Sequence, residues 1–340
     1  MIMEYKSDVD DLLTGLRAIA ETTRLRLLFA LSHGEFNVSE LTRILSQSQP
    51  RVSRHLKLMA EAGLLSRYKE GSWVLFRMRE DGEGGALARA IVDLLPARDA
   101  ILARDLARIE DIRNERAEIA ASYFKENAAN WDKLRSLHVQ EEEVEAAMRD
   151  LAGSGTLGTF LDLGTGTGRM LSLFAPQSAQ AIGLDSSREM LAIARTALER
   201  QGLRHVQVRH GDLYALPFAD GVADFITIHQ VLHYLDDPGR AIQEAARVLK
   251  PGGRLLIVDF APHELEELRD EQAHRRLGIA GEHMAGWLQR ASLAAQAHRL
   301  LPPSTEERNG GLTVSIWLAA AQENARSKRP HAPAMKAEPA

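Results

Sequence analysis

The sequence predicts an α/β protein in two parts: a small winged helix-turn-helix domain followed by a larger, doubly wound parallel sheet. Three observations predict it. Over residues 1–95, apolar side chains recur at helical spacing and then give way to two short β-rich runs joined by a glycine turn. Further on, the apolar strand pattern of Phe160-Leu161-Asp162-Leu163 runs into Gly164-Thr165-Gly166-Thr167-Gly168 and the start of a helix. A second strand, Ala181-Ile182-Gly183-Leu184-Asp185, then ends in an acid 21 residues after Gly164. Strands that alternate with helices around a glycine turn predict parallel pairing.

Composition narrows the function classes. A chain of 340 residues suggests two domains on a prior of ~150 residues each. The expected division is a winged helix-turn-helix domain over 1–95, a helical linker over 96–150, the sheet domain over 151–322 and a disordered tail over 323–340. Net charge is −5, so any nucleic-acid surface must be local. There are no cysteines, which excludes disulfides, thiolate metal sites and cysteine nucleophiles. No apolar run approaches the ~18 residues of a membrane span, and the N-terminus lacks a signal-peptide pattern. A cytoplasmic protein with no membrane partner is expected.

In chain order, Leu12, Leu16, Ile19, Leu27 and Leu28 predict a helix over 10–31. A short helix then opens at Asn37 or Ser39, both good caps, with Leu41, Ile44 and Leu45 on its apolar face. Pro50 suits the first turn of the next helix, over 51–62, where its missing N–H would be unbonded anyway. Val52, Leu56 and Met59 point that helix inward. Ser48, Gln49, Arg51, Ser53, Arg54, His55 and Lys57 are left for its outer surface. Gly63 ends it, and the runs 64–68 and 73–78 form a hairpin, with Arg67 and Lys69 on the wing. From Arg43 to Arg79 there are eight basic residues and two acids, a local balance of +6. Such a patch suits DNA phosphates, and the polar start of the second helix suits base edges in a major groove.

This segment resembles the arsenical-repressor (ArsR) type of winged-helix regulator. The match rests on Ala20-Glu21-Thr22-Thr23-Arg24-Leu25-Arg26-Leu27-Leu28, Ser48-Gln49-Pro50-Arg51-Val52-Ser53-Arg54-His55-Leu56-Lys57 and Ala62-Gly63-Leu64-Leu65. The resemblance implies a homodimer on a double-stranded DNA operator. Metal-sensing members carry cysteines in the first helix of the pair. This chain has Asn37-Val38-Ser39-Glu40-Leu41 there, so thiol-based metal sensing is not expected.

Residues 96–149 are charge-rich and helical in pattern, with Leu95, Leu102, Leu106 and Ile109 able to share a stripe. Ser122-Tyr123-Phe124 and Asn130-Trp131-Asp132 look like the lid helices of small-molecule methyltransferases, although plain packing accounts for Tyr123 and Trp131 equally well.

The glycine turn has the form Gly-x-Gly-x-Gly, and Arg169 stands where a dinucleotide fingerprint wants its third glycine. The turn also follows an acid, Asp162. A carboxylate there disfavours a pyrophosphate and favours a cationic amine or sulfonium. With Asp185 at ribose-gripping spacing, the ligand that fits is S-adenosylmethionine. The turn resembles motif I of the class I methyltransferases dependent on that cofactor, with a Rossmann-like sheet. The later blocks Gly211-Asp212-Leu213-Tyr214-Ala215-Leu216-Pro217-Phe218 and Leu249-Lys250-Pro251-Gly252-Gly253-Arg254-Leu255 follow in that family's order. By resemblance, Asp162, Gly164, Thr165, Gly166, Gly168, Asp185, Ser186, Asp212 and Leu213 line the cofactor site. The N-terminus of the helix over 169–174 would face the cofactor's carboxylate. Met190 is either a cofactor contact or core.

His229 and His233 follow the fourth strand, over 224–228, at the edge where such sheets bind ligands. Each is a positioning contact or a base, as is His263, and no sequence feature decides among them. Asp259, His263, His274, Arg275 and Arg276 have the chemistry for a polar acceptor, and equally that of a charged helix face. His263, Glu264 and His274 lack regular spacing, and no metal site is expected. Residues 281–297 read as a helix and 312–320 as the closing strand. The reading that follows is an ArsR-type regulator fused to a methyltransferase of the ubiquinone and menaquinone type, which acts on small-molecule acceptors. The alternative is a non-catalytic regulator that senses S-adenosylmethionine or its product S-adenosylhomocysteine.

Overall fold

The structure, a computed structural model, describes residues 9–322 apart from 71–72, 80, 97, 132–140, 204 and 304–310. The predicted tail over 323–340 and Asp132 therefore lie outside the described residues. Two units emerge. The first runs to Trp131 and also takes in Val231–Pro238 and Phe260–Ile279, and the second holds the remainder.

In the first unit the single helix predicted over 10–31 is two, Val9–Ile19 and Thr22–Ser32. Glu21 breaks it. Its backbone is extended, and its carboxylate accepts from the Arg24 N–H and the Thr23 hydroxyl, so it caps the second helix instead of continuing the first. Strand β1, Phe36–Asn37, leads into helix Val38–Leu45. There Asn37 and Glu40 form a reciprocal capping box, each side chain taking the other's backbone N–H. Asn37→Ala is expected to lower the thermal stability of this unit by ~1 kcal/mol, which differential scanning calorimetry would read.

Helix Gln49–Glu61 follows, then β2, Leu65–Glu70, and β3, Trp73–Met78, in an antiparallel sheet of order β1-β3-β2. Leu27, Leu41, Leu45, Val52, Leu56 and Met59 form the centre of the core. Helix Ala100–Asn127 belongs to the same core through Ile109 and Ile112, so the first half of the predicted linker packs on the helix-turn-helix. The buried stripe of this helix runs Leu102, Asp105, Ile109, Ile112 and leaves Leu106 exposed. Asp105 is fully buried and accepts two hydrogen bonds of 2.7 Å from the Arg26 guanidinium. Paired in this way, a buried charge is tolerated.

The second unit is built on a seven-stranded sheet of order β6-β5-β4-β7-β8-β10-β9. Its strands are β4 Thr159–Leu163, β5 Gln180–Asp185, β6 Val206–His210, β7 Ala223–His229, β8 Leu249–Phe260, β9 Leu293–Leu301 and β10 Val314–Ala321. The ladders β6-β5-β4-β7-β8 are parallel and β10-β9 is antiparallel. From β4 the chain builds outward through β5 and β6, then returns to β7 on the other side of β4. The reversal point lies between the carboxyl ends of β4 and β7, where open sheets of this kind bind ligands.

The helix predicted over 281–297 stops at Arg290. Ser292 turns the chain with φ 56, and 293–301 pair with β10 along its length. The alanines of this run favour a helix by propensity, but the hydrogen bonds offered by β10 override that preference.

Candidate cofactor site and DNA-reading surface

The sheet orders the glycine turn before any ligand arrives. Asp162 is only 1% exposed and accepts a 2.7 Å hydrogen bond from the Thr227 hydroxyl, its register partner on β7. The Gly164 and Thr165 N–H groups both donate to the Leu184 carbonyl. Two glycines let the turn pack this closely. Gly168 adopts φ +88, and a Cβ there would lie 3.2 Å from that of Ala194. A Cβ on Gly183 would fall 2.6 Å from both the Thr165 hydroxyl and Leu171. Arg169 forks onto Glu145 at 2.5 and 2.9 Å, which ties helix Glu141–Ala152 to the end of the turn. Thr227 and Glu145 carried no sequence signal. Only strand register and helix docking bring them here.

Asp185 ends β5 beside the turn. Its Oδ2 accepts from the Gly166 N–H at 2.8 Å and its Oδ1 from the Ser187 N–H at 2.8 Å. Burial pushes its carboxyl above the ordinary value, while the N–H groups of Ser187, Gly166 and Ser186 pull it back. The helix after β5 starts two residues later than Ser186. It spans Arg188–Arg200, and Ser187 is its cap, accepting from the Met190 N–H. Met190 itself is buried and packs as core. Asp212 is exposed and accepts from the Tyr214 N–H at 2.9 Å, which shapes the turn that follows β6 and carries Leu213.

His229 ends β7, opposite Val258 in register. The next residue, Gln230, is held at φ 53, a left-handed conformation unusual for a side chain of its size, with its N–H on the Val258 carbonyl at 2.7 Å. The structure thus assigns His229 to the second unit, and His233 and His263 to the first. His233 is 1% exposed, and its ring centroid lies 4.0 Å from Tyr234, 4.3 Å from His274 and 5.1 Å from Phe260. Phe124 stacks edge-on against both Tyr234 and Trp131, so the aromatic residues of the predicted lid belong to this cluster. His263 donates its backbone N–H to the Leu277 carbonyl, and its Nδ1 accepts from the Leu265 N–H at 3.3 Å.

Of the five residues with the chemistry for a polar acceptor, Asp259 and His274 are buried, Arg276 is buried on Glu35 at 2.6 Å, and Arg275 pairs with Asp236. Burial lowers Arg275 to about 10, against the pull of Asp236. Glu35 is held at about 2: burial alone would raise it, but Arg276, the Tyr68 hydroxyl and Arg77 more than offset that.

On the helix-turn-helix, Ser48, Gln49, Arg51, Arg54 and Lys57 are exposed, Ser53 is half-buried, and Arg67 and Lys69 are exposed on β2. His55, expected on that surface, is buried, with Glu21 3.9 Å from its Nε2. It sits between Arg54 and Leu56, on the edge of the inward stripe, and the cap residue Glu21 draws it in. Desolvation lowers its pKa, with Glu21 opposing. Arg51 reaches the Thr23 hydroxyl at 3.0 Å, so the same cap also steadies one of the exposed cations.

Comparison with known proteins matches residues 161–257 to a family described as "Methyltransferase domain" and residues 21–67 to "Bacterial regulatory protein, arsR family". The chain joins an arsR-family regulatory domain to a class I methyltransferase domain. The methyltransferase match contains the turn, Asp185, Asp212 and His229, and the arsR match contains the capping box and the exposed cations of the second helix. An uncharacterized methyltransferase, YcgJ of Bacillus subtilis, is 37% identical over 105 residues, 31% of this chain and 42% of that protein. Demethylmenaquinone methyltransferase of Thermus thermophilus is 37% identical over 143 residues, 41% of this chain and 64% of that protein. Arsenite methyltransferase of Aquipseudomonas alcaligenes is 37% identical over 140 residues, 38% of this chain and 39% of that protein. The chain thus spans less than two thirds of the length of each of these relatives. No described helix is long and apolar enough to cross a membrane.

Proposed function

We propose that this chain is a DNA-binding regulator whose methyltransferase domain binds S-adenosylmethionine and passes its methyl group to a small-molecule acceptor. The carboxylate of Asp185 is the observation that carries this reading. Its Oδ2 accepts from the Gly166 N–H and its Oδ1 from the Ser187 N–H. This sets an ionised carboxylate at the end of β5 beside the glycine turn, and such a carboxylate is a strong acceptor for the hydroxyls of a ribose. The cofactor, when bound, supplies a methyl group already activated by its sulfonium. Holding and aligning it is the task of this chain's residues. Asp185 grips the ribose, and Asp212 accepts from the adenine amino group. His229, at the end of β7, orients the reacting end, while His233 and His263 lie on the two loops that follow β7 and β8.

The acceptor to test first is a quinone-type molecule such as that named for the Thermus relative. Arsenite is a poor choice, because a chain without cysteine has no thiolate to capture it. Calorimetric titration should show one cofactor per chain, and labelled methyl should then reach demethylmenaquinone or another small molecule in a metabolite extract. Failure to bind S-adenosylmethionine or S-adenosylhomocysteine at about 1 mM, the upper range of working affinities, would remove the reading.

On the DNA side, Arg54→Ala is expected to weaken duplex binding and to reduce the salt slope by ~0.9 if Arg54 meets a phosphate. Cofactor affinity should stay unchanged. Equal loss of both would contradict a separate DNA-reading surface. A second reading, in which the cofactor or its product acts as an effector rather than a reagent, is favoured by one observation. The loops that follow β7 and β8 pack in the unit that carries the helix-turn-helix.

A further inference from the structure

The loops Val231–Pro238 and Phe260–Ile279 leave the ligand-bearing edge of the sheet, yet belong to the first unit. They are joined to each other, because the N–H groups of Arg275 and Arg276 both donate to the His233 carbonyl at 3.0 Å. Charged contacts then join the pair to the helix-turn-helix. Arg116 binds Glu40 with one end of its guanidinium and Asp236 with the other, the latter at 2.8 Å. Glu40 is the capping-box residue that starts the first helix of the DNA-reading pair. Arg276 binds Glu35 at 2.6 Å and the Asp236 carbonyl at 2.9 Å, while Glu35 also faces Arg77 on β3 at 3.7 Å. Arg269 lies 4.1 Å above the ring of Trp73, the first residue of β3.

We infer that these two loops are a relay, with Arg116 and Asp236 at its centre, through which a nucleoside ligand at the sheet edge sets operator affinity. This rests on the reading that S-adenosylmethionine or S-adenosylhomocysteine binds beside Asp185. Gln230 is the last residue before the first loop and is held in a left-handed conformation. A change of pose at His229 therefore reaches Val231 through a single residue, Gln230. From there Asp236 and Arg116 carry it to the capping box of the helix that precedes the reading helix. A ligand shifts the equilibrium only by its difference in affinity for the two postures, so the methylated cofactor and its product need not act alike. Coupling is also reciprocal: bound DNA must change ligand affinity by the same factor.

The test uses the full chain and a duplex selected from a random pool by the unliganded protein. DNA affinity is measured by fluorescence anisotropy at fixed salt, with no ligand, with S-adenosylmethionine and with S-adenosylhomocysteine. The wild type is expected to shift at least tenfold with one of them. Arg116→Lys and Asp236→Asn should hold the shift below about twofold, with calorimetric ligand affinity unchanged. Should both variants unfold, amide exchange of the wild type decides: the ligand should alter protection in 36–45 as well as in 231–238. A wild type that binds both ligands and DNA without any shift overturns the relay while leaving the proposed function intact. A full shift in both folded variants, or ligand-induced protection that stops short of 36–45, also overturns it. If neither ligand binds, the proposed function fails and the relay fails with it.

Discussion

Asp185→Asn is expected to weaken S-adenosylmethionine binding by about 10²–10³-fold, from the loss of roughly 3–4 kcal/mol of charge-assisted hydrogen bonding to two hydroxyls. The amide keeps the shape of the carboxylate but has one acceptor oxygen, and that oxygen is already claimed by Gly166 or Ser187. Folding should suffer little. Burial raises the Asp185 pKa above its ordinary 3.8, so the ionised group opposes folding of the unliganded chain. That cost is absent below the unfolded pKa and appears as pH rises above it. Asparagine removes the cost and loses one N–H acceptor, so melting at pH 7 should stay within about 4 °C of the wild type. Calorimetric titration beside a melting curve separates the two effects. A threefold loss of affinity or less in a folded variant would mean that Asp185 is not the ribose-gripping group.

Glu35→Gln is expected to destabilise the first unit by about 3–5 kcal/mol, because it leaves the buried Arg276 guanidinium without its counter-charge. The wild-type acid limb gives an independent check. The folded pKa is about 2 against 4.5 for the free side chain. A depressed acid stabilises above the unfolded value and loses that contribution as pH falls through the folded one. About 3 kcal/mol should therefore disappear between roughly pH 4.5 and 2 in the wild type, and this component should be missing from the variant. Urea denaturation across that range would measure both. Identical acid limbs would show that the pairing with Arg276 and Arg77 does not hold Glu35 ionised.

Much of the methyltransferase half was legible because its chemistry is local in the chain. The glycine turn, Asp185 and the strand after it are contiguous or one strand apart, and their roles follow from backbone demands that only glycine or a short acid meets. The helix-turn-helix was legible for a similar reason, since Asn37 and Pro50 mark helix starts by their own hydrogen-bonding limits. Errors fell where a side chain answers to a partner far along the chain. His55 has the composition of a surface residue, yet Glu21 draws it in. Arg275 and Arg276 suit an anion site or a charged helix face equally in sequence, and only the structure shows them paired with Asp236 and Glu35. The strand 293–301 has helical propensity, yet β10 supplies its hydrogen bonds.

The sequence by itself determined the two-part architecture, the arsR-type and methyltransferase motifs, and the absence of thiol chemistry. Each is written in residue types at short spacing, so period, turn chemistry and composition suffice to read it. Only the tertiary structure decided that the loops after β7 and β8 join the helix-turn-helix unit, and that Arg116 links Asp236 to Glu40. No local pattern encodes such a pairing. A charged side chain looks the same in sequence whether it faces water or a counter-ion more than a hundred residues away, as Asp236 faces Arg116, and burial alone separates the two cases.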